Sequence, residues 1–169
     1  ISNSFGYYVR QDASHWELQC DNNDLYIGRA GAAIGGFQIG AGSNLRTDIF
    51  YSVSAWALAT GQEPHSMEND PQLADPGNGD FHLKSTGGRY RPGVGWTNDA
   101  VSSPLIDSGN SSSAWLLEPE PNGRRINIGL YGGTAEASKT PIFGALIPNY
   151  PGPGARVSGA VQLRWSAIG

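Results

Sequence analysis

The chain has 169 residues, the length of one ordinary domain, and 11 lysines and arginines against 15 aspartates and glutamates give a formal charge of −4. That balance supplies no basic field for nucleic acid or anionic lipid, and no apolar run approaches the ~20 residues that a membrane helix requires. The 24 glycines show no period of three, which excludes collagen, and a lone Cys20 with 3 scattered histidines excludes a disulfide framework and structural zinc.

Residues 1–27 read as short strands in close succession. Phe5, Tyr7 and Val9 alternate with polar or small residues, and Trp16, Leu18 and Cys20 repeat the pattern. After the turn cluster Asp21-Asn22-Asn23-Asp24 comes Leu25-Tyr26-Ile27, a further short strand. In this setting Cys20 is expected to be a small buried hydrophobe in preference to a nucleophile. Strands this short, joined by polar corners, suit a repetitive winding. Residues 28–45 are glycine-rich and interleaved with Ala32, Ala33, Ile34, Phe37 and Ile39. Neither GxxxxGK[ST] nor GxGxxG occurs, so the stretch is expected to be a looping excursion with close backbone packing, not a nucleotide site.

Residues 47–60 predict the one helix. Thr47 is the expected N-cap, Asp48 suits the first turn, and Gly61 follows as the residue past the end. Ile49, Val53, Trp56 and Ala57 fall on one stripe, widened by Phe50 and Leu58. Residues 66–92 change to turn chemistry, with Asp70-Pro71, Asp75-Pro76 and Asn78-Gly79 ahead of a brief strand at Phe81-His82-Leu83. Residues 97–124 read as loop, broken by Leu105-Ile106 and Trp115-Leu116-Leu117, and Ile126 to Tyr131 reads as a strand. A Pro/Gly tether at 148–156 leads to an alternating tail at 157–169, with Val161, Leu163 and Trp165 on one face.

Three segments of this chain carry a resemblance. Asp70-Pro71-Gln72-Leu73-Ala74-Asp75-Pro76 with Gly79-Asp80-Phe81-His82-Leu83 resembles the DPxFxDPxxGDFHL segment of secreted bacterial right-handed parallel β-helix repeat proteins. Ser103-Pro104-Leu105-Ile106-Asp107-Ser108-Gly109 is similar to their SPCIDAG segment, and residues 118–138, from Glu118-Pro119-Glu120-Pro121-Asn122-Gly123 to Glu136-Ala137-Ser138, to their terminal EPxPNGGRINxGAYGGTxEAS segment. The segments follow the family's order. The resemblance implies an all-β chain: a short right-handed parallel β-helix over 1–147, with one α-helical insertion at about 47–60 and a Pro/Gly-tethered C-terminal strand. Inward positions are then expected at Phe5, Tyr7, Val9, Trp16, Leu18, Leu25, Ile27, Ile126 and Ile128, with Asn22 and Asn23 stacking along a corner. Such motifs mark the closing coils of the fold and not a catalytic centre.

Three functions follow as expectations. The first is a non-catalytic extracellular or cell-surface module that associates end to end with copies of itself, because an uncovered end coil offers unpaired backbone groups to another chain. The tail residues Val157, Val161, Leu163 and Trp165 are its candidate assembly strand, donated to a neighbouring subunit. The second is a fragment of a carbohydrate-active enzyme, a polysaccharide lyase or glycoside hydrolase. Arg10, Asp12, His15 and Glu17 are its candidate catalytic groups, since glycan cleavage needs carboxylates with a basic partner. The third is polysaccharide binding, with Tyr90, Trp96, Trp115 and Tyr150 in loop-like sequence as candidate stacking rings. Asp70, Asp75, Asn78 and Asp80 supply oxygen ligands of the kind a Ca²⁺ loop uses, although Asp-Pro turns closed on their own side chains account for them equally. No other cofactor is expected. Asn110-Ser111-Ser112 is the only N-glycosylation sequon.

Overall fold

A computed structural model gives the structure of residues 5–10, 19–28, 31–40, 42–141, 145–150, 158–159 and 164–168. The described chain is mostly strand with one helix, and its sheets are small, none closed or curled. Strand β1 (Phe5–Arg10) pairs in parallel with β2 (Ala33–Ile39), from Phe5 opposite Ala33 to Arg10 opposite Gln38. Strand β3 (Arg46–Phe50) then runs antiparallel along the other edge of β2. A second parallel contact joins Asp24 to Met67, where the Leu25 N–H donates to the Met67 carbonyl and the Met67 N–H to the Asn23 carbonyl.

Two expectations are corrected in this sheet. The glycine-rich stretch is not only excursion, because β2 runs through it with Gly35 and Gly36 buried. The helix α1 (Val53–Thr60) starts later than its periodicity suggested, since residues 46–50 form β3. The β-branched and aromatic side chains of Thr47, Ile49 and Phe50 favour a strand once a partner edge lies alongside, and β2 supplies that edge. Thr47 therefore caps nothing. Ser52 is the N-cap, its hydroxyl accepting from the Ala55 N–H at 3.2 Å, and Gly61 ends the helix in the left-handed region at φ 71.

The first core gathers where α1 crosses this sheet. Ile34, Phe37, Val53 and Trp56 are buried, with Tyr7, Val9, Leu25, Ile27, Ile39 and Phe50 packed around them. Four of the expected inward residues, Tyr7, Val9, Leu25 and Ile27, are thus on the core. The Trp56 indole is fully buried, stacked on Tyr7 at 5.8 Å and met edge-on by Phe50 at 5.5 Å. Gly35 lies directly against it, and a Cβ there would sit 2.3 Å from a ring carbon of Trp56. Close approach, not backbone flexibility, is what this glycine supplies.

Beyond the helix the strands become short hairpins. Strands β4 (Leu73–Asp75) and β5 (Asp80–Leu83) pair antiparallel around a 3-10 turn at Pro76–Asn78, with Gly79 left-handed at φ 84. Strands β6 (Arg89–Arg91) and β7 (Gly95–Thr97) form a second hairpin. A second core holds Leu83, Leu105 and Ile106, with Met67, Leu73 and Ile128 against it. Leu83, Leu105 and Ile128 recur at near-equal spacing along the chain. Backbone bonds join the segments around them, from the Ser103 N–H to the Lys84 carbonyl at 2.9 Å and from the Ile128 N–H to the Leu105 carbonyl at 3.0 Å.

Ile126 to Tyr131 is not the expected strand. Buried Asn127 occupies the place of ladder partners: its Oδ1 accepts from the Asp107 N–H, its Nδ2 donates to the Ser138 carbonyl, and its own N–H donates to the Glu118 carboxylate. Together with backbone bonds from the Ile128 N–H to the Leu105 carbonyl and from the Gly109 N–H to the Ile126 carbonyl, they satisfy the segment without a regular strand ladder. The Asn23 side chain donates to both oxygens of the Glu63 carboxylate. The tail forms β9 (Arg164–Ile168), antiparallel to β8 (Ala145–Tyr150) of the same chain. Pro148 and Tyr150 of the expected tether belong to β8, so the tail strand is paired within its own chain along that edge. Residues 151–157 lie outside the described residues, as do Trp16 and Leu18.

Candidate functional site

The densest set of polar side chains sits where β5, β6 and residues 97–99 meet residues 131–139. Asp80 and His82 are two apart, a spacing that on a strand places both on the same face. The His82 ring is 1% exposed, with Nδ1 2.7 Å from Asp80 Oδ1. An ionised carboxylate only accepts, so this contact assigns the ring proton to Nδ1. The ring lies flat on Tyr131 at 3.6 Å between centroids, and Tyr90 approaches it at 5.9 Å. Its Nε2 is buried with no hydrogen bond among the described residues, and Glu136 Oε2 stands 3.5 Å away.

Arg89 completes the set by spanning two carboxylates. Its Nη1 donates to Asp80 at 3.0 Å, while Nε and Nη2 fork onto Asp99 at 3.0 and 3.2 Å. Asp99 also accepts the Ser85 N–H at 2.9 Å. Partial burial pushes the Asp80 carboxyl up, but hydrogen bonds from the His82 ring and backbone, with the nearby Arg89 charge, outweigh it and hold Asp80 below the usual range. Two serines tie the remaining segment in. Ser85 Oγ donates to the Lys139 carbonyl and Ser138 Oγ to the Leu83 carbonyl, each at 2.6 Å.

Chemically this arrangement is an internal brace. A catalytic imidazole must meet a substrate, and His82 is covered by Tyr131 and walled in. What the brace holds outward is the β6–β7 hairpin. Tyr90 and Trp96 are directly opposed across it, edge-on at 5.7 Å, and Trp96 is 40% exposed with Lys139 Nζ 4.3 Å from its ring centre.

Among the candidate stacking rings, then, the structure brings Tyr90 and Trp96 together. Trp115 is half-buried in a turn whose carbonyl receives the Glu118 N–H, and Tyr150 lies in β8 with its side chain outside the described residues. Of the Ca²⁺ candidates, Asp75, Asn78 and Asp80 share the β4–β5 hairpin, where Asp75 pairs with Asp80. Asp70 accepts from the Gln72 N–H, Asp75 from the Asn78 amide, and Asp80 belongs to the brace. Among the described residues no group of three or more His, Cys, Asp or Glu side chains is placed to hold a metal. Of the catalytic candidates, Arg10 is placed only by its backbone in β1, and Asp12, His15 and Glu17 lie outside the described residues. Of the assembly residues, Trp165 sits in β9 opposite Pro148, while Val157, Val161 and Leu163 lie outside them.

Two buried carboxylates were not singled out from sequence. Glu63 accepts from the Tyr7 hydroxyl at 2.7 Å, from Asn23 Nδ2 and from Ser66 Oγ. Burial, reinforced by that carboxylate, pushes the Tyr7 phenol above its ordinary range. Glu118 accepts the N–H groups of Asn127 and Gly133 on one oxygen, and its other oxygen is buried with no partner among the described residues. Glu118 stands in the third motif segment, and Asp80 and His82 in the first, which was the available signal. Glu63, Arg89 and Asp99 had none.

Residues 41–109 match the family model described as "Disaggregatase related". The matched span runs from just before β3 through α1 to Gly109, holds Asp80, His82, Arg89 and Asp99 together with both rings of the hairpin, and is less than half of the chain. No curated protein and no solved structure matches the chain.

Proposed function

We propose that the chain is a cell-surface module, wound as the closing coils of a parallel β-helix, that works by contact with copies of itself. The disaggregatase-related match links residues 41–109 to cell-surface proteins and supports the location. No helix among the described residues is long and apolar enough to cross a membrane. The recurrence of Leu83, Leu105 and Ile128, with backbone bonds between the segments around them, supports the winding. The observation that carries the contact reading is β1. Among the described residues it is paired along one edge only, in parallel with β2, so its other edge offers the pattern that a further coil would take. Light scattering and negative-stain microscopy over a concentration series test this. End-to-end rods that lengthen with concentration are expected, and monomers throughout would overturn it.

A second reading, polysaccharide contact, is favoured by the braced Tyr90–Trp96 pair. An exposed indole presents an apolar face to a sugar ring, and Lys139 beside it supplies a donor for ring substituents. Glycan-array binding that Trp96→Ala abolishes is expected; an array without signal for the wild-type chain would remove this reading.

A further inference from the structure

We propose that Asn110 is an N-glycosylation site, the acceptor of an oligosaccharide from a polyprenyl-phosphate-linked donor. The inference rests on the cell-surface reading, because only an exported chain meets such a donor. Asn110-Ser111-Ser112 is a sequence match that many buried or rigid segments also carry, so geometry must decide. Here all three residues are exposed. Asn110 Oδ1 accepts the Ser112 N–H at 2.8 Å, and the Asn110 carbonyl accepts the Ser113 N–H at 3.0 Å. Among the described residues the Asn110 amide nitrogen has no partner.

The base of this turn is bonded to distant segments, whereas its tip is bonded only to itself among the described residues. Gly109 is buried and donates to the Ile126 carbonyl at 2.7 Å, and Arg125 Nη2 donates to the Ser108 carbonyl at 3.1 Å. From Asn110 to Ser113 the bonds are local to the turn. A transferase can therefore reshape the tip without opening a core contact. A donor held on Oδ1 favours negative charge on that oxygen, the form in which Nδ2 gives up a proton most readily. Nδ2 passes one proton to a base of the transferase and bonds to C1 of the donor sugar. The C1–oxygen bond to phosphate breaks, and the lipid phosphate leaves with the electron pair and takes up the proton. The Ser112 hydroxyl is the group that the transferase reads.

Glycopeptide mass spectrometry of the full chain isolated from its own cells tests this, beside labelling of intact cells with a membrane-impermeant biotin reagent. The expected result is an oligosaccharide mass on the peptide containing Asn110. That mass should be lost in Asn110→Gln and Ser112→Ala and kept in Ser112→Thr, with all three variants still melting cooperatively as folded chains. A biotin-labelled chain with bare Asn110 overturns the inference and leaves the surface reading standing. A chain neither labelled nor glycosylated overturns both. Oligosaccharide that persists on Asn110 in Ser112→Ala overturns the proposed recognition.

Discussion

Gly35→Ala is the sharpest test of the first core. The new methyl carbon would stand 2.3 and 2.4 Å from two carbons of the Trp56 six-membered ring, well inside van der Waals contact. The indole cannot swing aside easily, because Tyr7 stacks on one region of it and Phe50 meets it edge-on. Overpacking of this kind costs about 1–3 kcal/mol. Gly35 lies in a regular strand, without a positive φ, so alanine fits the backbone and stiffens the unfolded chain, which returns ~0.4–1 kcal/mol. The clash wins, and a net loss of about 1–2 kcal/mol is expected. Urea unfolding reads it as a lower midpoint with an unchanged slope. Trp56→Leu removes the offending ring, so Gly35→Ala in that background should cost less than it does alone, and the double mutant should lose less stability than the two single losses summed. A Gly35→Ala chain as stable as wild type, or costs that simply add, would refute the packing argument.

Three further outcomes follow from the buried polar groups and the second core. Arg89→Ala leaves Asp80 and Asp99 without their shared cation; with both partly open to water a loss of about 2–3 kcal/mol at neutral pH is expected by chemical denaturation. Because the Asp80 carboxyl is held below its unfolded value, its contribution is fully present above about pH 4 and fades as pH falls through the lower folded value. Asp80→Asn should therefore be destabilised at pH 7, and the gap to wild type should narrow as the pH falls through the carboxylate range; parallel melting curves across an acid pH series check the sign. Leu105→Ala, at a position 3% exposed, should cost about 2–4 kcal/mol through the cavity it leaves between Leu83 and Ile128, seen as a lower thermal midpoint.

Much of the local structure was legible in the sequence because its causes lie within a few residues. Gly61 ends α1, Asp75 to Gly79 turns β4 into β5, and Phe81-His82-Leu83 is a strand, each through turn chemistry that needs no distant partner. The alternation of Tyr7 and Val9 found the core face of β1 for the same reason. Where a distant segment supplies the bonding, reading along the chain reached the wrong element. Residues 46–50 carry a helical stripe and become a strand because β2 lies alongside, and Ile126 to Tyr131 alternates yet stays irregular because Glu118, Asp107 and Ser138 bind Asn127.

Composition and periodicity on their own indicated that the described chain would be strand-rich with a single helix and that its turns would be built on Asp, Asn, Gly and Pro. Only the tertiary structure decided that Arg89 joins Asp80 to Asp99, that Trp56 needs a glycine beside it, and that the tail strand finds a partner in β8. The physical reason is range: a turn is closed by atoms a few bonds apart, whereas an ion pair, a packed indole or a strand edge exists only after the fold has brought remote segments within a few ångströms.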